Sequence, residues 1–264
     1  MSEHTVLVTG GSRGIGAAIA RAFAERGDRV AVHCRSGLDA AARVVAELPG
    51  YGHAVVQADL SDPDAVRAAV DAAAERLGGL DVLVNNAGVF TAHPVLATSY
   101  EEWQAAWRTT LDVNLVGAAN ATWCAVRHMT AAAGDDSREG AVAHRRGIRG
   151  HVINVGSRGA YRGEPQTPAY GASKAGLHAF GQSLAIALAP HGIAVASVAP
   201  GFVQTDMAAE LLASPAGEAI RAQSPFGRVA TPEEVAAAVV YLASPAASWS
   251  SGAVLDVNGA SYLR

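Results

Sequence analysis

Tyr170 and Lys174 stand four residues apart in the stretch "PAYGASKAG". In a helix that spacing projects both side chains from one face. A phenol can give a proton to a developing alkoxide, and an ammonium within about 4–6 Å favours the phenolate and lowers its ordinary pKa of about 10. Lys174 is also the sole lysine, since the rest of the 20 lysine and arginine residues are arginine. A guanidinium is planar and effectively never deprotonated, whereas an ammonium is a compact point charge that can approach a phenolate and sugar hydroxyls together. The pair therefore suits acid–base work at a carbonyl or alcohol oxygen. Ser157, in "VINVGSRGA", can donate a hydrogen bond to such an oxygen, or bond only backbone as a turn serine. Asn114, in "LDVNLVG", lies inside a long helical pattern, where asparagine costs up to ~0.7 kcal/mol against alanine.

Reducing a carbonyl also needs a hydride, which a bound cofactor supplies. The stretch "TGGSRGIG" at 9–16 follows a strand pattern and opens a helix. Glycines at 10, 14 and 16 let the backbone turn tightly against a pyrophosphate, and the helix N-terminus offers unpaired N–H groups. Their G-x-x-x-G-x-G spacing differs from the G-x-G-x-x-G fingerprint. The second strand reads "RVAVHCRSG", with Cys34 where an acid for the ribose 2′-hydroxyl would stand and Arg35 and Ser36 after it. Arg13 adds a second guanidinium on the same side. Two guanidiniums without an opposing carboxylate suit a 2′-phosphate, so NADP(H) is expected in preference to NAD(H). The alternative for Arg35 is a solvated loop arginine. Asp59-Leu60 closes the third strand, where an acid can meet the adenine amino group or cap a helix. "NNAG" at 85–88 closes the fourth, as a cofactor contact or a simple turn.

These residues need a scaffold. Short β-branched runs alternate with alanine-rich helical stretches, the pattern of a parallel sheet covered by helices. Strands are predicted at Thr5–Thr9, Arg29–His33, His53–Asp59, Val82–Asn85, Val152–Val155, Ala194–Ala199 and Val254–Val257. Helices are predicted at about 14–26, 38–48, 62–77, 99–131, 169–189 and 231–243. Asp62-Pro63 and Thr231-Pro232 open two of them. The expected fold is α/β: a single-domain, Rossmann-like doubly wound body with a seven-stranded parallel sheet and helices on both faces. Ligands bind beyond the carboxyl ends of such strands. The polar segment 132–150 enters a strand at its amino end and is expected as an inserted loop on the far side. Segment 202–228 leaves a strand at its carboxyl end and is expected to act as a substrate lid.

Composition narrows the function. A chain of 264 residues with 50% hydrophobic and 17% charged residues can bury one large core. A net charge of -4, with only the short basic run "HRRGIR" at 144–149, argues against nucleic-acid binding. Two cysteines, Cys34 and Cys124, lack metal-ligand spacing and fit a reducing compartment. A strand pattern begins almost at once, leaving no room for a signal peptide, and apolar runs such as "VAAAVVYLA" at 235–243 are too short to span a bilayer. A cytoplasmic protein with no membrane, nucleic-acid or metal partner is expected.

Together, Thr9-Gly10-x-x-x-Gly14-x-Gly16, Asn85-Asn86-Ala87-Gly88, Asn114, Ser157, Tyr170-x-x-x-Lys174 and "PGFVQT" at 200–205 resemble the short-chain dehydrogenase/reductase family. The likeness is nearest its 3-oxoacyl-carrier-protein reductase-like subgroup. "SGAVLDVNGA" at 251–260 fits as well, while the 132–150 insertion is longer than in compact members. The resemblance implies a homotetramer or dimer and a catalytic tetrad of Asn114, Ser157, Tyr170 and Lys174. It gives Asn114 a water that relays protons from Lys174, gives Lys174 the nicotinamide ribose, and gives the Val203 backbone and Thr205 hydroxyl the carboxamide. The cofactor contacts expected are Gly10, Ser12, Arg13, Gly14, Ile15, Gly16, Arg35, Ser36, Asp59, Leu60, Asn86, Ala87, Gly88, Tyr170, Lys174, Pro200, Gly201, Val203 and Thr205. The implied reaction is NADPH-dependent reduction of a ketone, a 3-oxoacyl thioester or similar small carbonyl, to a secondary alcohol, or the reverse. A dinucleotide-binding redox sensor or scaffold without turnover is the alternative. A sugar epimerase or dehydratase would need a larger C-terminal domain. Arg158, Tyr161 and Arg162, which follow Ser157, face either the pocket or solvent.

Overall fold

In the computed structural model, which describes residues 4–131 and 148–264, every neighbouring strand pair is parallel. The strands β1 (Thr5–Val8), β2 (Arg29–Cys34), β3 (Ala54–Gln57), β4 (Val82–Asn85), β5 (Gly150–Val155), β6 (Ile193–Pro200) and β7 (Val254–Val257) lie in the order β3-β2-β1-β4-β5-β6-β7. Parallel strands need crossovers. These are α1 (Gly14–Glu25), α2 (Leu38–Glu47), α3 (Pro63–Leu77), α4 (Tyr100–Leu111), α5 (Ala118–Ala131), α6 (Gly159–Arg162), α7 (Pro168–Leu188), α8 (Asp206–Ala213), α9 (Ala216–Arg221) and α10 (Pro232–Leu242). The single-domain, doubly wound α/β fold is the one expected.

Side-chain alternation divides the core between the two faces. Val6, Val8, Val30 and Val32 pack with Ile19 and Phe23 of α1 and with Val235 and Val239 of α10. Leu7, Ala31, Leu83 and Val152 point the other way, against Val66, Val70 and Leu77 of α3 and Ala121 and Ala125 of α5. Each such valine, leucine, isoleucine or phenylalanine contributes about 1.5–3 kcal/mol on burial, and a shift of one residue in strand register would carry the strand side chains to the wrong face. Between β1 and β4 the winding reverses, which opens a crevice at their carboxyl ends.

Local signals set the helix ends. Asp62 accepts hydrogen bonds from the Asp64 and Ala65 N–H groups ahead of Pro63, and Gly78 closes α3 in the left-handed region at φ 74°. Thr231 and Glu234 form a reciprocal cap at the start of α10. Each cap of this kind stabilises by about 1 kcal/mol.

Two stretches differ from expectation. The helix read over 99–131 is interrupted by a π-helical segment, Asp112–Gly117, which carries Asn114. A 3.6-residue pattern hides one inserted residue, and that residue widens the turn. Gly117 lies so close to Leu60 that a Cβ would sit 2.6 Å from its carbonyl oxygen. The second stretch is 132–150: Gly150 already belongs to β5, and the expectation of a polar inserted loop falls mostly outside the described residues. Segment 202–228 forms α8 and α9 between two anchored ends, where Val203 and Ala230 pair as a parallel bridge. Among the described residues no helix is long and apolar enough to cross a membrane, and no group of three or more His, Cys, Asp or Glu could hold a metal ion.

Candidate active site

The glycine turn sits at the switch point and is tied to β4. Thr9 Oγ1 donates to the Val84 carbonyl (3.1 Å) and accepts from the Asn86 and Ala87 N–H groups at 2.9 and 3.1 Å. Asn86 Nδ2 donates to the carbonyls of Thr9 (2.9 Å) and Gly10 (3.1 Å). "NNAG" is thus both a turn and a brace. Gly10 and Gly14 take φ of 63° and 53°, and a Cβ on Gly16 would stand 2.2 Å from the Gly10 carbonyl oxygen. Only glycine meets these demands. Arg13 precedes α1 without a side-chain cap, and no acid occupies the first turn, so the helix N-terminus remains open to an anion. Thr205 packs on Gly14, its Cγ2 3.3 Å from where a Cβ would be. The turn thereby meets "PGFVQT", and the residues fit a pyrophosphate dinucleotide.

One brace had not been anticipated. The buried His33 accepts from Gly10 N–H at Nδ1 (3.1 Å), which leaves the proton on Nε2 to bond the Ala58 carbonyl (3.1 Å). Burial lowers its pKa, in keeping with the neutral ring. A polar residue in an otherwise apolar strand was the available signal.

The carboxyl end of β2 differs from expectation at Arg35. Cys34 is the last residue of β2 and is buried with Val30 and Val32. Arg35 and Ser36 are exposed just beyond it. Arg35 is also not without a carboxylate neighbour, because its charge helps lower the pKa of Asp59. The larger causes there are hydrogen bonds from Ser61 Oγ (2.7 Å) and N–H (2.9 Å), a local turn role beside any contact with adenine.

Asn114, Ser157, Tyr170 and Lys174 converge from three elements. Asn114 clasps Val89, accepting from its N–H at 2.8 Å and donating to its carbonyl at 3.1 Å. It also donates to Ser173 Oγ (3.2 Å), so the π segment is tied to the helix of Tyr170. A Cβ on Gly88 would lie 3.3 Å from Asn114 Oδ1 and 3.5 Å from Lys174 Nζ, which makes Gly88 the meeting point of the two. Ser157 Oγ accepts from Gly159 N–H (3.0 Å), and its hydroxyl is near enough to the Tyr170 phenol to influence its ionisation. Lys174 donates to the Val155 carbonyl (2.9 Å), with Nζ 5.7 Å from the centre of the Tyr170 ring. At β6, Arg158 N–H donates to the Pro200 carbonyl (3.0 Å) and Gly201 N–H to the Val257 carbonyl (3.1 Å).

Comparison with known proteins places this geometry. The model of a family described as enoyl-(acyl carrier protein) reductase matches residues 10–260. A cis-4-hydroxycyclohexanecarboxylate dehydrogenase of Sinomonas cyclohexanicum is 39% identical, over 98% of this chain and 96% of its own length. A 3-oxoacyl-acyl-carrier-protein reductase of Vibrio cholerae is 34% identical over 100% and 99%. Among solved structures, a short chain dehydrogenase from Burkholderia cenocepacia in complex with NADP superposes with a TM-score of 0.83 at 35% identity, covering 97% of this chain and 96% of that one. The chain belongs to the short-chain dehydrogenase/reductase family. As a member it is an oxidoreductase acting on CH–OH and C=O groups.

Within this short-chain dehydrogenase/reductase the electrostatics of the cluster differ from the expectation of a lysine-lowered phenol. Burial pushes Tyr170 up to about 12, the nearby Ser157 hydroxyl pulls it down, and the charge of Glu164 pushes it up. Burial also pulls Lys174 down to about 8. Desolvation dominates both groups, and Tyr170 holds its proton at neutral pH. Another residue missing from the expected set, His93, is buried on the loop after β4. It accepts from Ala169 N–H at Nε2 (3.1 Å) and bonds the Thr91 carbonyl through Nδ1 (2.7 Å). Thr167 gives α7 no side-chain cap, so a loop 76 residues away satisfies the start of the tyrosine helix instead.

Proposed function

We propose that the protein is an NADP(H)-preferring carbonyl reductase that converts a small ketone to a secondary alcohol, or runs the reverse reaction, with Asn114, Ser157, Tyr170 and Lys174 as its catalytic group. The observation that carries this is the meeting of Lys174 Nζ and Asn114 Oδ1 at Gly88, with Tyr170 one helical turn from Lys174 and its phenol under the influence of the Ser157 hydroxyl. NADP(H), when bound, supplies or accepts the hydride. Ser157 hydrogen-bonds the substrate carbonyl, and Tyr170, protonated, gives its proton to that oxygen as negative charge develops. Lys174 compensates the phenolate left behind, and Asn114 holds the helix geometry and the relay water. Gly10, Ser12, Arg13, Gly14, Ile15 and Gly16 hold the pyrophosphate, while Arg13, Arg35 and Ser36 take the 2′-phosphate. Asp59 and Leu60 meet the adenine, Asn86, Ala87 and Gly88 line the ribose side, and Pro200, Gly201, Val203 and Thr205 orient the nicotinamide. Segment 202–228 covers the substrate.

The relatives support a secondary alcohol or its ketone as substrate, since one is a hydroxycyclohexanecarboxylate dehydrogenase and another a 3-oxoacyl-acyl-carrier-protein reductase. The protein is cytoplasmic and assembles as a homotetramer or dimer in this reading. Exposed Trp123, Ile186, Trp249 and Leu263 supply apolar surface for such an assembly, which light scattering would measure. A panel of ketones and alcohols followed at 340 nm with NADPH and NADH tests the activity. Turnover with NADPH exceeding NADH, reversed or levelled by Arg35→Asp, is the expected result. No turnover of any member despite nucleotide binding would instead favour a sensor or scaffold.

A further inference from the structure

The loop that carries Ser157 continues into two arginines whose charges are not matched by hydrogen-bonded carboxylates. Arg158 is 4% exposed and donates from Nη2 to Gln223 Oε1 at 2.5 Å and from Nη1 to Ser261 Oγ at 2.5 Å. Arg162 donates to the same Gln223 oxygen at 2.6 Å. Two cations thus share one neutral amide oxygen. Among the described residues neither arginine has a carboxylate within 4.0 Å. Glu164 is near enough to interact with both, yet its own burial outweighs their pull and raises its pKa. Burying a guanidinium on neutral acceptors costs free energy that a carboxylate would recover through charge-assisted bonds. Gln223 lies on segment 202–228, and its amide stands where such a carboxylate would stand.

Resting on the carbonyl reductase reading above, we propose that Arg158 and Arg162 form an anion subsite that selects substrates bearing a carboxylate. That carboxylate displaces Gln223 Oε1 while the ketone oxygen meets Ser157 and Tyr170. Arg158 follows Ser157 directly and Arg162 closes the single helical turn Gly159–Arg162, so both arginines lie within five residues of the serine. A small ring or short chain that carries both a ketone and a carboxylate is the substrate class this juxtaposition suits.

Matched ketones test the subsite: 4-oxocyclohexanecarboxylate and its carboxamide, the same shape without the charge, each with NADPH. The wild-type protein is expected to favour the acid by about 10–100-fold in kcat/KM, the worth of a charge-assisted pair. Arg162→Gln removes an exposed charge, and Gln223→Glu supplies an internal carboxylate. Each is expected to bring the acid-to-amide ratio down about tenfold, chiefly through KM. A ratio near one in the wild-type protein, or one unchanged in both variants, overturns the subsite. If neither ketone turns over, the carbonyl reductase reading fails for these substrates, and thermal shift with the same two compounds decides the subsite separately. Stabilisation by the acid alone, lost in Arg162→Gln, supports it; equal shifts or none reject it.

Discussion

The proton on Tyr170 decides the chemistry at the scale of single residues. With burial holding the phenol at about 12, it is a donor at neutral pH, and ketone reduction needs no prior ionisation. Oxidation of the alcohol needs the phenolate, so its kcat is expected to climb with pH from 7 to 9 while reduction does not. Parallel slopes in the two directions would contradict this assignment. Tyr170→Phe keeps the ring, including its edge-on contact with Phe90 at 4.9 Å, and removes the proton. Turnover is expected to fall about 10²–10⁴-fold with NADPH affinity preserved in a fluorescence titration. Substantial residual activity would remove the tyrosine from its role. Lys174→Arg puts a wider, planar cation into the narrow space between Gly88 and Val155, and loss of activity there would separate geometry from charge.

Elements explain which parts of the site were legible beforehand. Ser157, Tyr170, Lys174 and the glycines stood out because each lies at a strand's carboxyl end or at a helical spacing that sequence alone displays. β2 runs one residue past its expected end at His33, because the buried alternation of Val30 and Val32 continues through Cys34. His33 and His93 act across 23 and 76 residues of chain, and no local pattern announces such partners. The π segment was hidden for a different reason, because one extra residue leaves the apolar periodicity of 99–131 nearly intact. His93→Ala removes the acceptor for Ala169 N–H and is expected to destabilise the fold by about 1–3 kcal/mol. It is also expected to lower kcat while leaving KM for NADPH nearly unchanged, since the glycine turn is braced elsewhere. An equal loss in both parameters would mean that His93 supports the whole crevice and not the tyrosine helix alone.

For the whole molecule, the buried histidines set a pH limit. Burial lowers His151 and His178 to about 4, against about 6.5 in the unfolded chain. As pH falls below 6.5 the unfolded state takes up protons first, so stability is full above that value and declines toward pH 4. The slope is at most about 1.4 kcal/mol per pH unit for each histidine. Urea midpoints at pH 7.5, 6 and 5 are expected to fall in that order, and His151→Asn to flatten the fall. Midpoints level from 7.5 to 5 would show that these rings find proton acceptors in the folded state.

The bridge between Val203 and Ala230 also bears on how this molecule could change. The residues between them leave the sheet and rejoin it at one place, where Gln204 N–H bonds the Ala230 carbonyl and Ala230 N–H the Phe202 carbonyl at 2.9 and 3.0 Å. Thr205 against Gly14 and Ser224 Oγ on the Gly259 carbonyl (2.6 Å) tie both ends of the excursion to the body. Lengthening a closed loop costs only about 0.6 kcal/mol per doubling, so a longer or shorter excursion between those ties can be spliced in without disturbing the sheet. A chimera that exchanges residues 206–222 for a relative's equivalent, keeping Thr205 and Gln223, is then a practical route to new substrates on the same catalytic frame.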